Sequence, residues 1–526
     1  MSTIIKNGTI IDGTGKPAFV GDVVVENDRI VDVIPNPSSP IPPSSSVIDA
    51  TGCLVTPGFI DAHAHSDAYL VLEPNAPSKI SQGITTEING QCGGSIAPRY
   101  GEARLSSDWA SLLGDRLTWR SMAEYREVLA AAKPAINTVQ FVGHNTLRSS
   151  VVGYAGRVAT PDELRTMCRL LEQALDEGGW GLTTGLIYQP GKYATNDEVV
   201  ALAKTAAAKG GFYATHMRSE GDRILESIDE VIDLVRATGI RAVISHLKTS
   251  GQKNWHKIDA VLDKIETAIG RGELLGSDRY PYCAAGTDLD VVLPDWAQEG
   301  AAKAECERLK DPVVRQRIVD ELNASDRDWS LVMIGGCWDE VNKRFSGKTV
   351  VEILEQETRD GRRGGVGHLV CSILAADACR TGAFFFGMSE ENLAKIYSRP
   401  WIVPGSDASL RAPWGPLGAD HPHPRAYGTM PEFYRRVRAL GFSREAAIAR
   451  MTSVPARRFE IKGRGVIEKG AFADIVVWRE TEFKATATFA DPHRFSEGVK
   501  LVMVNGTIPY RDGNLTGDRP GRFLER

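Results

Sequence analysis

Between residues 58 and 407 the chain repeats one pattern eight times: a short β-like apolar run, followed in most cases by a helically patterned segment. The runs are 58–62, 84–90, 138–143, 181–187, 211–215, 241–245, 274–280 and 401–405, with helical patterning at 197–209, 220–238 and 257–269 among others. Strands that alternate with helices pair in parallel, and eight such units predict an α/β fold, a closed (β/α)8 barrel. In that architecture the C-terminal strand ends carry the active site.

The two ends of the chain read differently. Residues 1–57 and 465–510 are short alternating strands with turn signals, such as 4–13, 21–30 and 501–506, the last running into an Asn-Gly turn. They predict one small β-sandwich, assigned to 1–57 and 460–526, beside a catalytic barrel at 58–459. An insertion at about 288–377 separates the seventh and eighth runs. Helical patterning at 298–325 and a strand-like 331–334 mark it as ordered, since a structureless loop of that length is improbable. The Pro/Ser-rich stretch 35–46 reads as a surface loop.

Six metal-ligand side chains fall at or just beyond run ends. His63 and His65 close the first run, and an extended strand would turn both imidazoles to one face. Cys92, His216, His246 and Asp407 end the second, fifth, sixth and eighth. Imidazole, thiolate and carboxylate are the ligand set of zinc-like ions, and six such groups suffice for one or two metals with a place left for water. A closed structural site needs only four. A divalent ion lowers the pKa of its water from about 15.7 toward roughly 7 and polarises a carbonyl, which suits attack on an amide. Asp407 is placed to take the proton from that water and deliver it to the departing nitrogen.

Composition narrows the remaining classes. With 526 residues the chain exceeds the roughly 250–300 at which single cores stop growing. A formal charge of -5 gives no basic footprint for nucleic acid. No apolar run reaches the roughly 18 residues of a membrane helix, and the N-terminus lacks a signal-peptide pattern, so a cytoplasmic address is expected. The eight cysteines show no Cys-x-x-Cys and read as reduced thiols. Cys92 stands apart through its run end and its Gly93-Gly94 neighbours, which would let a metal or substrate approach the backbone.

The motifs PGFIDAHAHSD (57–67), SQGITTEINGQCGGSIAP (81–98), VGHNTLR (142–148), YATHMRSEG (213–221), ISHLK (244–248), YPY (280–282), GSD (405–407) and HPHPRAYGTMP (421–431) resemble the amidohydrolase superfamily, and within it the D-aminoacylase (N-acyl-D-amino-acid deacylase) family. The resemblance runs almost end to end and is weakest at 288–377. It implies a Zn2+ enzyme in which Cys92, His216 and His246 form a tight site and His63, His65 and Asp407 a weaker one. Many superfamily relatives bridge two metals through a carboxylated lysine. The third and fourth runs hold no lysine, so Cys92 takes the bridging or equivalent place. The resemblance also implies that Arg425, Lys248 and Tyr282 surround a substrate carboxylate, with Tyr188 and Thr287 in the same pocket. A guanidinium suits that role because it can donate two parallel hydrogen bonds. His144 is expected as a supporting or core histidine. His421 and His423 are read as positioning Arg425.

The expected activity is therefore zinc-dependent hydrolysis of the amide bond of N-acyl-D-amino acids, a small-molecule reaction. The preference for the D-isomer comes from the resemblance alone. The alternatives are a related amidohydrolase acting on a cyclic imide, dipeptide or xenobiotic, and a non-catalytic barrel scaffold.

Overall fold

The computed structural model describes residues 2–35, 46–105, 107–361 and 364–526, so most of the stretch read as a surface loop at 35–46 lies outside the described residues. The eight strands are Phe59–Asp61 (β1), Ile84–Asn89 (β2), Asn137–Gln140 continued by Val142–Gly143 (β3), Gly181–Gly185 (β4), Phe212–His216 (β5), Arg241–Ile244 (β6), Leu275–Arg279 (β7) and Ile402–Pro404 (β8). They pair in parallel in chain order, except that β7 meets β8 across the insertion. The ring closes where the Ala62 N–H donates to the Pro404 carbonyl at 3.1 Å and Ala64 bridges Ala408.

The period-two alternation of strand side chains builds two concentric cores. Along β6, Val243 joins the barrel interior, while Ala242 and Ile244 pack outward against the helices. Ile60, Ile88, Phe141, Phe212, Ala214 and Val403 fill the same interior. Phe459 contacts Phe212, the first residue of β5, and so plugs the end opposite the strand termini. The outer helices show the expected signals. Pro161–Asp176 opens on a Thr160/Glu163 capping box with proline in its first turn, and buries Met167, Leu171, Ala174 and Leu175.

Both chain ends meet in one nine-stranded sheet beside the barrel. Leu54–Pro57, which leads into β1, lies antiparallel to Ile475–Trp478. Ser2–Ile10 pairs along one edge with Phe19–Glu26 and splits its other edge between Ser46–Asp49 and Leu54–Pro57. Ile5, Val23, Val55, Ile475 and Met503 then share one apolar core drawn from both ends.

The described residues between β7 and β8 fold into strands and helices of their own. A three-stranded antiparallel sheet of Ala285–Asp288, Gly382–Phe385 and Val332–Ile334 carries the helices Ala301–Lys310, Pro312–Asn323, Val350–Arg359 and Val366–Ala376. It has an apolar core of its own, including Leu309, Ile318, Ile353 and Leu374.

Candidate metal centre and substrate cavity

All six ligand-type side chains converge at the C-terminal mouth of the barrel. They form two groups, His63, His65, Cys92 and Asp407 in one and Cys92, His216 and His246 in the other, with the ligand atoms of each group within 4.8 Å of one another. Cys92 belongs to both. Its Sγ lies 3.4 Å from His63 Nε2 and 3.4 Å from His246 Nε2. Asp407 Oδ1 lies 3.0 Å from His65 Nε2 and 3.3 Å from His63 Nε2.

The route to this convergence differs from a continuous strand. β1 stops at Asp61, and the chain bends at residues 62–63 before the Ala64 bridge, so His63 and His65 are not successive positions of one extended strand. The Asp61 carboxylate accepts the His63 and Ser406 N–H groups, and the Asp407 N–H donates to the His63 carbonyl at 2.8 Å. These bonds lock β1 against β8 with both imidazoles toward Asp407. Three of these ligand-type residues, Cys92, His246 and Asp407, sit at positive φ of 53°, 38° and 51°. A left-handed residue costs about 1–3 kcal/mol and concentrates where the surroundings over-determine it. Here the turn swings each side chain out of strand alternation and over the mouth.

Gly93 serves a purpose other than metal approach. At φ 78° a Cβ would meet Asn145 Oδ1 at 2.3 Å and the Gly185 nitrogen at 2.5 Å, so this glycine lets the turn after β2 touch the helix His144–Val151 and the end of β4. Gly94 faces the cavity and would meet nothing nearer than 3.9 Å.

The electrostatics are those of a site built around positive charge. Burial alone would raise the Cys92 thiol, but the His63 and His246 imidazoles outweigh it and hold it well below its ordinary value. Burial would likewise raise the Asp407 carboxyl, and Arg425, then His246, hold it well below the usual carboxylate range. Burial and Lys248 press His246 down, yet Asp407, Glu220 and Cys92 carry it up to about 10. His216 is 4% exposed and neither of its ring nitrogens has a hydrogen-bond partner, because Glu220, 3.4 Å away, is off hydrogen-bond geometry. An orphaned buried imidazole facing a thiolate and a second imidazole fits a zinc-type ion, which takes N and S donors.

Two residues absent from the sequence reading support these ligand-type side chains. Asp278, near the end of β7, lies 3.3 Å from His63 Nδ1 and accepts the His246 N–H at 2.9 Å. Glu220 lies 3.0 Å from His246 Nδ1 and takes Lys248 Nζ at 2.5 Å. Such carboxylates fix which imidazole nitrogen carries the proton and leave the other for a metal. Asp278 in the run 274–280 and Glu220 four residues after His216 were visible as acids near run ends, but no spacing rule singled them out.

The centre opens into a cavity of about 1340 Å³ whose walls include Tyr188, Lys248, Tyr280, Thr287 and Arg425. Arg425 Nη1 donates to Asp407 Oδ2 at 2.7 Å and Nη2 to the Gly286 carbonyl at 3.2 Å. Its Nε is buried without a partner. Thr287 hydrogen-bonds Tyr188, whose ring stands 5.0 Å from that of His216. Tyr282, expected beside the substrate carboxylate, is not among the residues of this cavity wall; its hydroxyl has no hydrogen-bond partner, and the charges acting on it are Glu432, Arg436 and Arg435. Tyr280 lines the cavity instead, with the Arg425 guanidinium 4.6 Å over its ring. The two tyrosines of YPY point apart, and only the packing decides which faces the cavity.

His423 accepts the Arg425 N–H at Nδ1 and reaches the Ala284 carbonyl through Nε2, while His421 reaches the Phe489 carbonyl. His144 is a core residue, 2.8 Å from Glu198, which also binds Arg148. Among the described residues no helix is long and apolar enough to cross a membrane.

Known proteins are similar to this chain along nearly their whole length. An N-acyl-D-glutamate deacylase and a D-aminoacylase, both from Alcaligenes xylosoxydans xylosoxydans, are each 32% identical to this chain, covering 100% and 99% of it and 97% of each relative. The crystal structure of an N-acyl-D-glutamate deacylase from Bordetella bronchiseptica, complexed with zinc and a phosphonate mimic of the tetrahedral intermediate, superposes with a TM-score of 0.82 at 31% identity, covering 100% of this chain and 99% of that one. The sequence profile of the amidohydrolase family matches residues 46–510, and with full-length relatives above 30% identity the chain belongs to the amidohydrolase family.

Proposed function

We propose that this protein is a zinc-dependent hydrolase of the amide bond of N-acyl-D-amino acids, releasing a carboxylate and a free D-amino acid. The observation that carries the reading is the junction of two donor groups at Cys92, in a cavity where Arg425 links the ligand Asp407 to an unpartnered N–H. The full-length relatives named for N-acyl-D-amino acid deacylation support the substrate class.

Cys92, His216 and His246 would hold one Zn2+, and His63, His65 and Asp407 a second, weaker one with Cys92 between them. A bound zinc ion supplies a Lewis acid for the amide carbonyl and acidifies the attacking water. Asp407 accepts the proton of that water at Oδ1, the oxygen Arg425 leaves free, and returns it to the amide nitrogen as the C–N bond breaks. Glu220 would accept a hydrogen bond from His246 Nδ1–H, 3.0 Å away, which leaves Nε2 as the donor atom. Arg425 Nε and the Lys248 ammonium anchor the substrate α-carboxylate, with the Tyr280 ring bracing the guanidinium and Tyr188 and Thr287 lining the acyl side.

The test is hydrolysis of paired N-acetyl-D- and N-acetyl-L-amino acids by zinc-loaded protein. Release of free amino acid from the D-series is expected. Turnover of neither series, or of the L-series alone, overturns the reading.

A further inference from the structure

The wall of the cavity supplied by the insertion carries more acids than bases. Asp288, Asp290, Asp295, Glu305 and Glu307 line it beside Lys303 and Arg380, and Lys303 acts on Glu307. Asp295 is committed to Lys192, at 3.2 Å. Asp290 and Glu305 form an unusual pair. Asp290 lies just beyond the strand Ala285–Asp288 that carries Thr287, and Glu305 lies on the helix Ala301–Lys310. The two carboxyls act directly on each other, and the Cys379 thiol also acts on Glu305. Glu305 is 3% exposed and its Oε2 has no hydrogen-bond partner. Burial, then the contact with its partner, pushes Asp290 well up, and burial pushes Glu305 up to about 7. Two buried carboxyls in contact resist carrying charge at the same time, so a cation brought between them gains more than it would at an isolated carboxylate. The cation acting on Glu305 is Arg308, and its Nη1 is spent on the Ala297 and Glu299 carbonyls.

A buried carboxylate is costly unless a cation compensates it, and here the protein supplies none in contact. We propose that the Asp290–Glu305 pair is a subsite for a positively charged group on the substrate, an ammonium or guanidinium of an N-acyl-D-amino acid. The proposal rests on the deacylase reading above and narrows its substrate class. Arg425 and Lys248 hold the α-carboxylate on one side of the metal centre, and the acidic pair faces the cavity from the insertion. Negative charge there repels the side-chain carboxylate of an N-acyl-D-glutamate or N-acyl-D-aspartate. The cation can reside in the side chain, as in a lysine derivative, or in the acyl group, as in an aminoacyl derivative.

The experiment compares zinc-loaded wild type, Glu305→Gln and Asp290→Asn on Nα-acetyl-D-lysine, N-acetyl-D-norleucine, N-acetyl-D-glutamate and glycyl-D-norleucine. A side-chain cation predicts that wild type favours the lysine derivative over the norleucine one by about tenfold or more in kcat/KM, the worth of one charged hydrogen bond. An acyl-borne cation predicts the same advantage for the glycyl compound over N-acetyl-D-norleucine. In either case the ratio falls toward one in Glu305→Gln. Preference for N-acetyl-D-glutamate or N-acetyl-D-norleucine in wild type, or ratios unchanged in both variants, overturns the subsite.

Calorimetric binding of the same compounds to zinc-loaded Asp407→Asn protein provides a readout without turnover. If no D-compound is hydrolysed by wild type, the deacylase reading fails, and the binding preference still decides the subsite. Tighter binding of the cationic compounds that Glu305→Gln abolishes upholds it. Equal binding of charged and neutral compounds removes it.

Discussion

The Arg425 guanidinium donates to Asp407 across 2.7 Å, joining the group proposed to grip the substrate to the group proposed to move the proton. The bond spans the loop that follows β8, and His423 fixes its far end by accepting the Arg425 N–H. Substrate binding and proton transfer therefore share one salt bridge, and a change at Arg425 reaches both.

Arg425→Ala is expected to lower kcat/KM and to reduce the preference for N-acetyl-D-amino acids over their carboxamides, with Arg425→Lys intermediate because it keeps charge and loses the planar fork. Arg425 is the first of the groups that hold the Asp407 carboxyl low against its burial. Without it Asp407 protonates at higher pH, so the acid limb of the pH–kcat/KM profile shifts upward. An unmoved acid limb and an unchanged acid-to-amide ratio would remove Arg425 from both roles.

Asp407→Asn preserves size but cannot carry the proton. Turnover is expected to fall about 10²–10⁴-fold, the usual worth of general acid–base catalysis. Zinc held by Cys92, His216 and His246 remains, measured by metal analysis after dialysis. Near wild-type turnover with metal present assigns the proton to another group.

Cys92→Ala removes a donor from both groups at once, whereas His65→Ala removes one from a single group. Metal analysis should therefore find Cys92→Ala devoid of zinc and His65→Ala retaining one equivalent. Equal retention by the two variants contradicts the shared position of the thiolate.

Metal affinity should rise with pH. In the metal-free protein His63 and His65 hold their protons to higher pH than a free imidazole and His246 to about 10, while Cys92 and Asp407 give theirs up at lower pH than usual. A cation must displace the imidazolium protons. Zinc binding is thus weakened as pH falls through the neutral range and releases protons, which titration calorimetry in buffers of different ionisation enthalpy reads directly. Proton uptake on binding would contradict this charge state.

Lys79 is fully buried beneath the site, its ammonium 2.8 Å from Asp61, 3.0 Å from Ser406 Oγ and 2.8 Å from the Ala408 carbonyl. Lys79→Met leaves Asp61 charged and uncompensated, and breaking a buried pair in this way costs about 3–5 kcal/mol. Denaturant unfolding should show that loss, with weakened metal retention because Asp61 also holds the His63 and Ser406 backbones. A stability change under ~1 kcal/mol contradicts the compensation.

The barrel was legible in the sequence because each β-like run carries its own periodicity, and strands alternating with helices leave few ways to bury both faces. The ligand types were legible for the same reason: a residue at a strand end is fixed relative to its strand, so five run ends name six positions at one mouth. Tertiary packing alone decided how those positions combine. The positive φ of Cys92, His246 and Asp407 turns their side chains off the strand pattern, and it is imposed by neighbouring loops rather than by residue type. Tyr280 and Tyr282 are indistinguishable in YPY, yet one faces the cavity and the other Glu432, because the turn after β7 packs against the helix Arg425–Ala439. Asp278, Glu220 and the Asp290–Glu305 pair matter only through partners distant in sequence or brought close by an insertion fold. Periodicity records which way a residue points from its own strand, whereas a hydrogen bond or a shared ligand depends on where two strands, or a strand and a loop, come to rest against each other.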